Sequence, residues 1–128
     1  MSLSILVVDD DSQVRKLCRT TLEAAGYLVR EATNGNTALE ALEDFRFDVI
    51  VLDLCMPDMD GLEFLKAVNA GGTKLNIIVI SGFMGGAMLK AGRYMGGSAT
   101  LVKPFPPEAL LSAVDELLVG TDPVRAHD

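Results

Sequence analysis

The 128 residues suffice for one domain and are too few for two of useful size, and 49 % hydrophobic content with 5 % aromatics and no tryptophan calls for a core of aliphatic side chains. Eighteen acids against eleven bases give a formal charge of −7, which disfavours a nucleic-acid backbone or an anionic membrane surface as direct partner and favours a divalent cation or a basic protein face. Cys18 and Cys55 form no CxxC or Cys/His cluster, and the one histidine, His127, lies in a polar tail, so zinc, disulfide and histidine-based chemistries lack material.

The chain begins MSLSILVVDDD, a short apolar run with no basic leader and acids directly behind it, which reads as a strand and not as a signal peptide. With no apolar segment near the roughly 20 residues of a membrane helix, the expected location is cytoplasmic. Strand-like runs follow at Ser4–Val8, Leu28–Glu31, Val49–Leu52, Asn76–Ile80 and Ala99–Val102. Helical spacing separates them. Ser12–Ala25 sets Val14, Leu17, Cys18, Leu22 and Ala25 on one face, with Asp11 or Ser12 to cap its start and Gly26 its end. Thr37–Phe45 and Gly61–Ala70 carry the next two apolar stripes. Phe83–Met95 keeps a helical Met/Ala spacing in spite of Gly85, Gly86 and Gly92, each of which costs about 1 kcal/mol relative to alanine. Its Met stripe reads as core filling. Pro107 stands at a first helical position before Glu108–Val119.

Five βα units whose strands are apolar on both faces predict an α/β fold: a doubly wound (βα)5 three-layer sandwich with a central five-stranded parallel sheet, flavodoxin-like. Residues 1–119 form the expected domain and 120–128 a short polar tail. Ligands in such folds collect outside the carboxyl ends of the strands, where the strand order reverses.

The strand ends carry the chemistry. The first strand runs into Asp9, Asp10 and Asp11, the third into Asp53, the fourth into Ser81 and the fifth into Lys103. Helix capping accounts for one or two of the three leading acids but not for all of them. Adjacent carboxylates repel unless a cation offsets them, and an all-oxygen set of carboxylates, one carbonyl and waters suits Mg2+. Taken singly, Asp53 could be a turn former, Ser81 a cap and Lys103 a solvated surface residue. As a set, they offer a metal seat, a nucleophile, a hydroxyl donor and a positive charge for a phosphoryl group. No GxxxxGK[ST] loop, GxGxxG turn, serine elbow or histidine triad accompanies them, so nucleotide-type cradles and ordinary hydrolase machinery are unsupported.

ILVVDDD at 5–11, VLDLCMPDMDG at 51–61, ISG at 80–82 and LVKPF at 101–105, in order on five βα units, resemble the receiver domain of two-component response regulators over residues 4–119. The resemblance implies that Asp53 accepts a phosphoryl group from a phosphohistidine on a histidine kinase or histidine phosphotransfer protein. It implies Mg2+, with Mn2+ as a stand-in in vitro, held directly by Asp10, Asp53 and the backbone carbonyl of Cys55, and by Asp9 chiefly through water. Lys103 would pair with the acceptor carboxylate and then with a phosphoryl oxygen, Ser81 would hydrogen-bond another, and Asp11 would serve as a helix cap. Pro57 and Gly61 would shape the exit from Asp53, and the Lys103–Pro104 bond is expected to be cis.

Thr100 stands where family members often place a switching aromatic ring, and Cys55 and Phe83 occupy the two positions that tune attack of water on the acyl phosphate. Neither orients water, which implies slow self-dephosphorylation. Output is expected through a downstream effector protein, on a face made by Phe83–Met95, the fifth strand and Glu108–Val119. Phosphorylation-dependent self-association is compatible with it, and no independent metabolic activity is expected. A phosphorylation-independent docking module and a metal-dependent phosphohydrolase are the alternative readings.

Overall fold

The computed structural model describes residues 3–54, 61–70, 75–82, 90 and 97–121. In chain order these form β1 (Ser4–Val8), α1 (Ser12–Ala24), β2 (Leu28–Ala32), α2 (Gly35–Asp44), β3 (Val49–Asp53), α3 (Gly61–Ala70), β4 (Asn76–Gly82), β5 (Ala99–Lys103) and α4 (Pro107–Thr121). The helix expected over Phe83–Met95 lies, apart from Lys90, outside the described residues, as do Cys55, Pro57 and the tail from residue 122.

All five strands are parallel in the order β2-β1-β3-β4-β5, so the chain turns back on itself between β1 and β3. This is the doubly wound, flavodoxin-like arrangement that the alternating periodicities predict. Pleating sends successive side chains to opposite faces. Leu6, Val8, Ile50, Leu52, Ile77 and Val79 pack on one face with Ala38 of α2 and Phe64, Leu65 and Val68 of α3. Ile5, Val7, Val49, Val51, Ile78 and Ile80 pack on the other with Cys18 and Leu22 of α1 and Leu110 and Val114 of α4. Both faces are covered, which is why the strands read as unbroken apolar runs.

Local chemistry sets the helix ends. The Asp11 side chain accepts from the Gln13 N–H and caps α1. At the other end Gly26 adopts φ +97°, its N–H donates to the Glu23 carbonyl at 3.0 Å, and the Tyr27 N–H donates to the Leu22 carbonyl at 3.1 Å. These paired bonds turn the chain sharply into β2, and they need a residue that tolerates the left-handed region. Helix α2 begins at Gly35, two residues before the predicted Thr37, because Asn34 and Thr37 form a reciprocal capping box that places the cap earlier. The Lys103–Pro104 peptide is cis.

Candidate phosphoryl-transfer site

Strand length and pleat together assemble the site. β3 runs to Asp53, β4 to Gly82 and β5 to Lys103, each one or two residues past its apolar run, so the chemical residues sit on or beside the sheet's rigid edge. Val8 pairs with Leu52, which brings Asp9 level with Asp53 across the β1/β3 turn-back point. Pleat parity does the rest. Asp9 follows Ile5 and Val7, Asp53 follows Val49 and Val51, and Lys103 follows Ala99 and Leu101, so all three fall on the sheet face covered by α1 and α4.

Lys103 Nζ stands 2.9 Å from Asp9 Oδ2 and 3.2 Å from Asp53 Oδ2. Both carboxylates are thus in ion-pair contact with one ammonium, and the contact with Asp53 also has hydrogen-bond geometry. One carboxylate oxygen from each of Asp9, Asp10 and Asp53 falls within 4.8 Å of the others. Asp9 and Asp53 are buried and Asp10 is exposed, so the cluster opens to solvent on the Asp10 side.

The electrostatics follow from burial and crowding. Burial is the largest influence on Asp9 and pushes its carboxyl up to about 6; the Asp11 N–H and the Lys103 ammonium oppose it, and the Asp53 charge adds to it. Burial alone would lower the Lys103 pKa, but its contacts with Asp9 and Asp53 and their charges outweigh burial and raise it. One ammonium is thus shared between two carboxylates.

The hard carboxylate oxygens of Asp9, Asp10 and Asp53, the second of them facing solvent, form a donor set that fits a divalent cation. Cys55, expected to add a backbone carbonyl, lies outside the described residues, as does Phe83. Gly61 returns the chain to the site: its N–H donates to the Leu54 carbonyl at 2.9 Å, and a β-carbon on it would press on Leu54 Cα and lie 2.7 Å from the Asp53 carbonyl oxygen. Close approach, not a positive φ, is what demands glycine here.

Ser81 is buried one position past Ile80, the partner of Asp53, and pairs with Val102. It shares pleat parity with Ile77 and Val79, opposite to Lys103, and among the described residues its hydroxyl makes no hydrogen bond to the cluster. The structure therefore joins Asp9, Asp10, Asp53 and Lys103 and leaves Ser81 beside them. Thr100, half-buried in β5, pairs with Val79. Cys18 is fully buried, and burial pushes its thiol up to about 12, so it has no part in this chemistry. Arg15, which the sequence does not mark as a site residue, reaches the site from α1: its guanidinium donates to the Asp9 carbonyl at 2.8 Å. Its only sequence signal was a place one turn behind the Asp11 cap.

Residues 5–115 match the family model of the response regulator receiver domain. The whole chain aligns at 40 % identity with response regulator MprA of Mycobacterium bovis and spans 56 % of that protein's length. The Vibrio cholerae chemotaxis protein CheY4 superposes with a TM-score of 0.85 at 35 % identity, covering 91 % of this chain and 99 % of that one. The receiver domain of the Francisella response regulator 1452 superposes with a TM-score of 0.87 at 29 % identity, covering 94 % and 100 %. The chain belongs to the response regulator receiver domain family, and it carries the acidic cluster typical of the phosphate-accepting members. It spans little more than half the length of the curated relatives it matches.

Proposed function

We propose that this domain accepts a phosphoryl group on Asp53 from the phosphohistidine of a histidine kinase or histidine phosphotransfer protein, with Mg2+, and relays the phosphorylated state by protein contact. The observation that carries this reading is the shared Lys103 ammonium between Asp9 and Asp53 at the sheet's turn-back point. A carboxylate that ends a buried strand is held rigidly, and positioning supplies much of what phosphoryl transfer requires. Asp53 attacks phosphorus in line; the P–N bond to the donor imidazole breaks as the carboxylate O–P bond forms, and the imidazole leaves with a proton taken up from solvent.

Asp10, Asp53 and the Cys55 carbonyl would hold Mg2+ directly and Asp9 chiefly through water, with Mn2+ as a substitute in vitro. The ion, when bound, neutralises charge on the phosphoryl oxygens. Lys103 exchanges its contact with Asp53 for one with a phosphoryl oxygen. Ser81 is assigned another phosphoryl oxygen, and reaching it from the opposite pleat parity requires the end of β4 to turn inward. This displacement is a natural way for the modification to alter a protein-binding surface.

The unit assigned to this function is residues 1–119, with α4 running on to Thr121 into the expected 120–128 tail, in the cytoplasm, delivering its signal to an effector protein. No helix among the described residues is long and apolar enough to cross a bilayer. The test is transfer from a radiolabelled phosphohistidine donor: label should move to the wild-type chain when Mg2+ is present and not to Asp53→Asn. A chain that binds the donor and never takes label would be a docking module. Sustained turnover of phosphomonoesters would mark a hydrolase.

A further inference from the structure

Asp9 is gripped at three atoms. Its N–H donates to the Ala32 carbonyl at 3.1 Å, its carbonyl accepts from Arg15 Nη1 at 2.8 Å, and its Oδ1 accepts from the Asp11 N–H at 2.9 Å. Only Oδ2 remains to face Lys103 and the acidic cluster. Arg15 is itself fixed. Its Nε donates to Glu31 Oε1 at 3.0 Å, the second Glu31 oxygen accepts from Arg19 Nη1 at 3.0 Å, and Arg19 Nη2 donates to the Val29 carbonyl at 2.6 Å. The Arg15 side chain is 15 % exposed. A continuous run of charge-assisted hydrogen bonds thus ties α1 and β2 to the residue that follows β1.

The charge balance is as telling as the geometry. A bare guanidinium beside a cation site would repel the cation, but Glu31 sits against Arg15 and offsets its charge. Arg19, which shares Glu31, has Glu23 beside it at 3.8 Å, so two guanidiniums face two carboxylates and the group gives orientation with little net field. A lysine could not reproduce it, because one ammonium lacks the planar fork that reaches the Asp9 carbonyl and Glu31 together.

We propose that Arg15, held by Glu31, is a positioning residue for the acidic site: it fixes the Asp9 main chain so that Oδ2 stays turned into the cluster, and it thereby sets the affinity for Mg2+. This rests on the reading of Asp9, Asp10 and Asp53 as the Mg2+ site. The test is calorimetric titration of Mg2+ into the full chain as wild type, Arg15→Met, Arg15→Lys and Glu31→Gln, with thermal unfolding of each Mg2+-free protein. Loss of a supporting hydrogen bond behind a metal ligand weakens binding by about tenfold, and this is expected for Arg15→Met. Arg15→Lys should lose less. Glu31→Gln leaves the guanidinium charge uncompensated, so it should weaken Mg2+ at low salt and recover at high salt.

Folded Arg15 variants with wild-type Mg2+ affinity would overturn the proposal, as would a lower thermal midpoint with no change in affinity. If Arg15→Met does not fold, Arg15→Lys decides on the same criterion. Unchanged affinity in variants still labelled on Asp53 removes the positioning role and leaves the phosphoacceptor function standing. A wild type that binds no Mg2+ removes both.

Discussion

The Lys103 ammonium lies 2.9 Å from Oδ2 of the buried Asp9, at the end of a strand that pairs with neither β1 nor β3. It also reaches Asp53 at 3.2 Å, so one cation holds together two carboxylates that would otherwise repel. Removing it should be felt most when no metal is present. Lys103→Met is expected to lower the stability of the Mg2+-free protein by about 1–3 kcal/mol, the usual result of leaving a buried charge without its partner. Urea unfolding with and without Mg2+ checks this, and the deficit should shrink when Mg2+ takes over the neutralisation.

Asp9 gives a pH dependence of definite sign. Its carboxyl is raised from 3.8 to about 6, so between those values the folded Mg2+-free protein binds the proton more tightly than the unfolded chain. The stability this group contributes is complete below about pH 4 and is lost as pH rises through about 6. Asp9→Asn should remove that slope and make the Mg2+-free protein more stable at neutral pH by about 1–3 kcal/mol. Denaturant unfolding of both proteins across this range measures it; an Asp9→Asn variant less stable than wild type at neutral pH would contradict the assignment.

Gly61→Ala should damage the site from behind. The added carbon meets the Leu54 backbone and the Asp53 carbonyl, neither of which can turn aside as a long side chain could. Overpacking of this kind costs about 1–3 kcal/mol, and here the displaced backbone carries Asp53, the proposed phosphoacceptor. Reduced urea stability together with reduced phosphodonor labelling is the expected pair of results.

Asn34→Ala provides the contrast. It breaks the capping box at the start of α2 and should cost about 1 kcal/mol of stability. Labelling of Asp53 and its Mg2+ requirement should not change, because α2 covers the opposite sheet face from Lys103.

Much of this arrangement was written in local patterns. Short β-branched and leucine runs gave five strands, their apolar continuity gave a sheet covered on both sides, and the acids and lysine at the strand ends pointed to one end of it. Strand ends were read one or two residues short because Asp53, Ser81 and Lys103 break the apolar pattern while keeping the extended backbone. The start of α2 was displaced because an Asn34 side chain competes for the cap ahead of Thr37. Less legible were relationships that depend on tertiary reach. Arg15 belongs to the site only because α1 lies against β1 and β2, where its guanidinium spans Asp9 and Glu31. Ser81 has a sequence position that matches the family, yet only the pleat tells that its hydroxyl starts on the other parity from Lys103.

The most direct measurement is the intact mass of the chain after incubation with a small-molecule phosphodonor, with and without Mg2+. The account predicts one added phosphoryl group per chain, dependent on Mg2+ and absent from Asp53→Asn. Equal labelling of Asp53→Asn, labelling that ignores Mg2+, or no labelling of the folded wild type with Mg2+ present would contradict it.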